Sequence, residues 1–345
     1  MKYRLYTTSQ KAWDGTLSAI KKAKHSIYIE MFIFLDDTKN THNFVGALEE
    51  KARAGLEVVV IVDAYGSYYL KNSVVKELRE SGVEFLYFSH WLRRNHRKII
   101  IVDNKIAFLG GVNIKNKIRA WHDLQIRLSG SIVKPIIKSF ARSYWRCGGK
   151  KSSILRHHKK TLPRKIKSWV IDNWKQTTGV FQLNNYYREK ISSAKYSIKL
   201  LTPYFIPPRW LIILLIAAVN RGVKVEIIIP KDTDVKSLNR INYLNACRLS
   251  AVGVKIYFAK NMNHSKLMVI DDREALIGSQ NLDILSFNTN VEAGVFFTQK
   301  ALVDDLLKII NKWKKLSQEL NLKKKIPSIR DRISIFFLRI FYPVI

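Results

Sequence analysis

Residues 96–113 read HRKIIIVDNKIAFLGGVN, and residues 264–281 read HSKLMVIDDREALIGSQN. Both stretches are His-x-Lys, four residues, Asp, six residues, then Gly-[Gly/Ser]-x-Asn. His96, Lys98, Asp103, Gly110 and Asn113 answer to His264, Lys266, Asp271, Gly278 and Asn281. Five fixed residues at fixed spacing arise by chance at roughly 3 in 10⁷ start positions if each occurs at about 5%. A second copy with the same spacing removes coincidence, and none of the ten positions is missing. Two histidines, two lysines and two asparagines can meet around one phosphate. That set suits phosphoryl transfer through a covalent histidine intermediate, with no metal and no cofactor.

The repeat extends outward from the motif. The lag between the copies is 264 − 96 = 168 residues. At nearly that lag AKHSIYIEMFIF (23–34) answers to AKYSIKLLTPYF (194–205), ARAGLEVVVIVD (52–63) to VNRGVKVEIIIP (219–230), and SGVEFLYF (81–88) to VGVKIYFA (252–259). The same order of elements in each half is the mark of a duplicated unit. SIYIEMFIF, LEVVVIVDA and VEFLYF are β-branched and aromatic runs and read as strands. FVGALEEKARAG (44–55) has apolar residues at helical spacing and ends at Gly. Strands alternating with helices predict an α/β fold with a largely parallel sheet. The motif itself reads as strand, turn at Asn104–Lys105, strand, so each sheet is expected to be mixed. His96 and Lys98, two apart on a strand, share one face.

The chain has 345 residues, enough for two domains, and 47% hydrophobic residues, which excludes a disordered protein. The expected boundaries are 1–147 for the first half, 148–171 for a basic linker, 172–315 for the second half and 316–345 for a tail. Cys147 and Cys247 give neither a disulfide framework nor metal-ligand spacing, which points to a reduced, cytosol-facing compartment. The opening MKYRLYTTSQKAW lacks an apolar segment, so no signal peptide is expected.

Net charge is +33, and residues 124–171 hold thirteen Lys or Arg and no acid. Such an imbalance indicates a polyanionic partner, nucleic acid or an anionic membrane. In SIRDRISIFFLRIFY (328–342), Ile333, Phe336, Phe337, Ile340 and Phe341 fall on one helical stripe, with Arg330, Arg332 and Arg339 elsewhere. A short basic amphipathic helix of this kind reads as an interfacial anchor. WLIILLIAAV (210–219) is too short to span a bilayer and reads as a helix of the duplicated fold.

The paired motifs resemble those of the phospholipase D superfamily over about residues 3–315. Within it, IYIEMFIFLDD, VIVDAYGS, NHRKIIIVDNKIAFLGGVNI, LLTPYFIPP, NLDILSF and the following NVE are most similar to bacterial cardiolipin synthases of the shorter type without N-terminal membrane spans. The tail ISIFFLRIFYP resembles the C-terminal end of that group. Leu285 stands where many members have arginine, a change associated with the shorter group.

The resemblance implies a duplicated phospholipase D fold, two mixed β-sheets with flanking helices and one active site at the interface of the two halves. It implies a phosphatidyl group carried on one histidine; the two halves are nearly symmetric, and of the two assignments His96 as nucleophile and His264 as acid–base is the one expected here. Phosphatidylglycerol would be both donor and acceptor. His96, Lys98, Asp103, His264, Lys266 and Asp271 form the catalytic motif set, within which Asp103 and Asp271 are expected to brace the hairpins. Lysines neutralise phosphate oxygens, and Asn113, Asn281 and Ser279 are expected to bind them. Asp123 and Glu292, 27 and 28 residues after the motif histidines, are the implied histidine-orienting carboxylates. Trp121 and His122 are candidates to line the site. The implied location is peripheral, on the cytoplasmic side of the cell membrane, held by the basic linker and the tail, with no obligatory protein partner. Hydrolysis of phospholipid and cleavage of nucleic acid use the same histidines and are the alternatives. A non-catalytic binding protein would need a broken motif.

Overall fold

A computed structural model of the chain describes residues 1–158, 168–172 and 182–321. Segment 328–342 and the lysine-rich run 159–167, on which the expected anchor and much of the linker charge fall, lie outside the described residues. The chain divides into two compact units. The first is Met1–Asp172 with Ile277–Ser279 and Asn290–Val295; the second is Asn173–Leu276, Gln280–Thr289 and Phe296–Ile345.

The first half supplies β1 (Lys2–Thr8), β2 (Ser26–Met31), β3 (Glu57–Asp63), β4 (Glu84–Phe88), β5 (Lys98–Val102), β6 (Ile106–Gly110) and β7 (His122–Ser129). They hydrogen-bond in the order β1-β7-β6-β5-β2-β3-β4. Pairs β2–β3 and β3–β4 are parallel, joined by helices Phe44–Arg53 and Asn72–Glu80, while β5, β6, β7 and β1 add on antiparallel. The sheet is mixed, as the motif hairpin predicts.

Both faces of this sheet are covered. Ile27, Ile29, Met31, Val58, Val60, Val62, Ile100 and Val102 pack in one core with Trp13, Ile20, Leu48 and Leu78 of the three helices Ser9–Lys21, Phe44–Arg53 and Asn72–Glu80. On the other face Tyr28 stacks on Phe140 of helix Val133–Arg146 at 5.2 Å between centroids. Double burial explains why EVVVIVD reads as a continuous apolar run rather than an alternating one.

The second sheet and its neighbours draw on β8 (Ser168–Asp172), most of which falls in the expected linker, and on β9 (Ser197–Leu201), β10 (Phe205–Ile206), β11 (Lys224–Pro230), β12 (Lys255–Ala259), β13 (Leu267–Ile270), β14 (Glu274–Gly278), β15 (Leu282–Asp283), β16 (Ala293–Phe297) and β17 (Ser317–Glu319). The second sheet runs β17-β12-β11-β9-β13-β14-β16-β8. Apart from the added β17, this is the first sheet's order position for position, with β9 in the place of β2 and β13 in the place of β5. WLIILLIAAV lies in helix Arg209–Asn220, as expected. No helix among the described residues is long and apolar enough to cross a membrane.

Two local readings change. The hairpin turns pivot on Asp103–Asn104 and Asp271–Asp272, all four at φ 52–54°, one residue earlier than Asn104–Lys105. Lys105 N donates to Val102 O and Arg273 N to Ile270 O, both at 3.0 Å, which closes type I′ turns. The expected linker also begins as folded structure. Ile154 of helix Ser152–Leu155 is buried, Lys151 N donates to the Tyr144 hydroxyl at 2.9 Å, and Lys151 Nζ lies 3.3 Å from Glu84. Lys151 thus has a carboxylate partner that is distant in sequence.

Candidate active site

The motif aspartates fasten each hairpin to the rest of its sheet. Asp103 Oδ1 accepts from the backbone N–H groups of Lys24, His25 and Ser26 at 3.1, 2.7 and 3.0 Å. Asp271 Oδ1 accepts from Lys195, Tyr196 and Ser197 at 3.1, 2.7 and 2.9 Å. Burial pushes both carboxyl groups up, but the three amides outweigh it and hold each below its ordinary value. Aspartate tolerates the left-handed conformation that these turns need, and its side chain reaches the amides. Both side chains are therefore engaged with the backbone of their own sheet.

The motif glycines mark close backbone approaches. A Cβ on Gly110 would sit 2.2 Å from Leu124 O of β7, and one on Gly278 would sit 2.7 Å from Ala293 O of β16.

Along β5 and the residue pair before it, side chains alternate. Lys98 has the parity of Ile100 and Val102. Arg97 points the other way, where its guanidinium donates to Ser143 Oγ at 2.7 Å and to Ser139 Oγ, and lies 3.5 Å from Glu30. β5 pairs antiparallel with β2, Met31 opposite Lys98, so His96 lies beyond the C-terminal end of β2. That edge of an α/β sheet is where ligands bind.

His96 is buried and held by Glu292. Its Nδ1 lies 2.9 Å from Glu292 Oε1 and 3.1 Å from Oε2. Glu292 is fully buried, and the Ser279 hydroxyl donates to its Oε2. The pairing follows from the backbone. Segment 290–292 runs parallel to 94–96, with a bridge from Asn95 to Val291, His96 N donating to Val291 O at 2.9 Å, and Val291 N to Arg94 O at 2.8 Å. The carboxylate downstream of the second motif thus hydrogen-bonds the histidine of the first, a crossing that the near-equal offsets of 27 and 28 in sequence do not reveal. A buried carboxylate accepting the Nδ1 proton leaves the lone pair of the neutral ring on Nε2.

Phe32, just past the end of β2, packs edge-on against His96 at 4.7 Å, and Lys98 Nζ lies 5.0 Å from the Phe32 ring centre. Lys98 Nζ also donates to the His96 carbonyl. Lys266 Nζ does the same to the His264 carbonyl, so the contact recurs in both half-sites. Tyr204 lies edge-on to buried His264 at 6.3 Å.

The expected phosphate binders divide. Ser279 is committed to Glu292 and also accepts from Ala293 N at 3.1 Å, so its proton serves the carboxylate. Asn113 Oδ1 accepts from Ile33 N at 3.2 Å, and its carbonyl accepts from Trp13 Nε1 at 2.8 Å. Asn281 N donates to Ser286 Oγ at 3.2 Å, while its buried Oδ1 meets no partner among the described residues. Asp123 is buried in β7, and its Oδ1 accepts from Leu124 N at 2.7 Å. Trp121 packs against the first core, and His122 opens β7. Among the described residues no three His, Cys, Asp or Glu side chains cluster as a metal site.

Sequence reasoning missed a buried polar brace behind His96. Asp63 accepts from Asn95 N at 2.6 Å and from the amides of Tyr65 and Gly66, and burial pushes its carboxyl above the ordinary value. Glu30 accepts from Asn95 Nδ2 at 2.8 Å. The only signal was a charged residue at the end of each of two apolar strands.

Comparison with known proteins places this geometry. The family described as "Cardiolipin synthase, PLD-like domain" matches residues 16–144 and 187–314. The "Probable cardiolipin synthase YwiE" of Bacillus subtilis (strain 168) is 29% identical over 322 residues, covering 88% of this chain and 64% of that one. A cardiolipin synthase of Clostridium perfringens (strain 13 / Type A) is 31% identical over 322 residues, covering 86% and 67%. This chain thus spans about two thirds of the length of these curated relatives. The crystal structure of a phosphatidylserine synthase from Haemophilus influenzae Rd KW20 shares the fold, with a TM-score of 0.75, 16% identity and coverage of 99% of this chain and 94% of that one.

Proposed function

The chain belongs to the cardiolipin synthase, PLD-like domain family, and we propose that it transfers phosphatidyl groups between phosphatidylglycerol molecules through a covalent phosphohistidine. The observation that carries this reading is the Glu292–His96 pair with Ser279 behind it. Such a pair fixes one tautomer of the imidazole and favours its cationic form once a bond to phosphorus has formed.

In the first step His96 Nε2 attacks the phosphorus of phosphatidylglycerol. The bond from phosphorus to the head-group glycerol oxygen breaks, and His264 protonates the departing glycerol. In the second step neutral His264 takes the proton from a hydroxyl of another phosphatidylglycerol. That oxygen attacks the phosphatidyl-histidine, cardiolipin leaves, and His96 is regenerated. Lys98 and Lys266 offset the charge that builds on the phosphate oxygens, and Asn113 and Asn281 donate to them. Glu292 orients His96, and Asp123 is the second histidine-orienting carboxylate of the scheme. The enzyme works peripherally at the cytoplasmic membrane face, where its excess of positive charge meets anionic lipid.

Incubation with labelled phosphatidylglycerol vesicles tests the reading. Cardiolipin and free glycerol are the expected products. Phosphatidic acid alone would make the protein a hydrolase, and cleavage of labelled DNA without lipid turnover would make it a nuclease.

A further inference from the structure

We propose that the loops after β3 and β4, residues 64–71 and 89–94, form a preformed docking surface for an anionic lipid bilayer. This rests on the lipid-substrate reading above. Trp91 is 82% exposed, Tyr69 78%, Tyr68 77%, Tyr65 62% and Leu92 57%. A soluble protein that leaves five large apolar side chains in two adjacent loops has a use for them. Tryptophan and tyrosine are the residues that settle at the level of lipid head groups, with ring in the acyl boundary and polar tip in water.

The two loops are one surface. Ala64 N donates to Phe88 O at 3.0 Å, which joins their roots. The Arg94 guanidinium lies 4.3 Å over the Tyr65 ring and donates to the carbonyls of His90 and Trp91 at 3.0 and 3.4 Å. Arg94 thereby ties the two loops to each other. The charge is complementary: residues 64–71 contain Lys71, residues 89–94 contain Arg93 and Arg94, and neither loop has an acid. The surface lies on the sheet edge that holds His96, because Asp63 at the end of β3 accepts from Asn95 N, one residue before it. A bilayer resting there brings head groups to the histidine. Single-stranded nucleic acid fits less well, since Tyr68 and Tyr69 stand at 83° to each other and cannot both stack on successive parallel bases.

The test uses the full chain and sucrose-loaded phosphatidylcholine vesicles containing phosphatidylglycerol, at high salt. The variant Tyr68→Ser/Tyr69→Ser/Trp91→Ser/Leu92→Ser is compared with wild type and with Trp145→Ser/Tyr196→Ser, which removes exposed aromatics elsewhere. Thermal melts check folding; the changed side chains are all exposed. The loop variant should lose roughly tenfold or more in partition coefficient, about 1.4 kcal/mol, and the control should match wild type. The basic run and tail are common to all three proteins and cancel in the ratio. Brominated lipids should also quench wild type more than Trp91→Phe. Equal partition of loop variant and wild type, or an equal loss in the control, overturns the proposal. Unchanged vesicle binding with lost oligo(dT) binding would make the loops a nucleic-acid surface. Vesicle binding does not depend on turnover, so a loop-dependent partition with no cardiolipin formed would sink the functional reading and leave this one standing.

Discussion

Replacing Glu292 by glutamine removes one negative charge and nothing of the shape. Its consequence can be worked from the hydrogen bonds. The glutamine oxygen can still accept the His96 Nδ1 proton if its NH₂ donates to Ser279 Oγ. That oxygen already accepts from Ala293 N at 3.1 Å, and its own proton can turn to Ala293 O, 3.4 Å away. The tautomer survives, and only the stabilisation of imidazolium is lost. We expect kcat to fall about 10²-fold, roughly 2.7 kcal/mol. Ser279→Ala alone leaves the carboxylate in place and should cost about tenfold or less. In the double variant nothing dictates which end of the amide faces His96. An NH₂ group there forces the Nε2–H tautomer, which has no lone pair on the attacking nitrogen. The loss should then exceed the product of the single losses, because part of the population carries the incompetent tautomer. The assay is single-turnover transfer from phosphatidylglycerol in mixed micelles. Long-range ¹H–¹⁵N spectra of His96 report the tautomer in parallel. Additive losses, or an unchanged tautomer in the double variant, would refute the reasoning.

The remaining predictions concern the braces and the ions. Asp103→Asn keeps an acceptor and tolerates the left-handed turn but loses the charge, so denaturant unfolding should show about 1–2 kcal/mol less stability at neutral pH. Because amides hold the folded carboxyl below its ordinary value, that contribution is present above about pH 4 and lost as pH falls through the depressed value. The gap between wild type and variant should close on acidification, and a gap that widens contradicts the assignment. Gly278→Ala places a methyl against Ala293 O at 2.7 Å. The backbone must shift at the strand that leads from Glu292, so stability should fall by roughly 1–3 kcal/mol with loss of turnover; a variant as stable as wild type would show that the approach is not tight. With lysines neutralising the phosphate, transfer should persist in excess chelator, and activity that vanishes and returns only with a divalent ion would refute that role.

The strands, the hairpins and the duplication are legible in the chain because each is local: apolar runs such as KIIIV and LMVI sit within a few residues of the His and Lys they position. The turn shifted by one residue because Asp103 and Asp271 enter the left-handed region themselves. Their reason for doing so, three amides some 77–79 positions away in the first half, is tertiary. The same holds for Glu292. Its offset from His264 matches that of Asp123 from His96, yet the strand-like contact of Val291 with Asn95 delivers it to His96. Ser279 looks like a phosphate ligand beside Asn281 until the buried carboxylate that claims its proton is seen. The start of the basic run reads as linker because Glu84, which receives Lys151, is far away in sequence.

The central claim is a phosphatidyl group held on a histidine of this chain. Protein incubated with phosphorus-labelled phosphatidylglycerol and quenched in mid-reaction should carry label that is stable to base and labile to acid, and peptide mapping should place it on His96. His96→Ala should carry none, while His264→Ala should form the adduct slowly and fail to pass it on. Label on His264 would exchange the two roles, and cardiolipin formed with no adduct on either histidine would contradict the account.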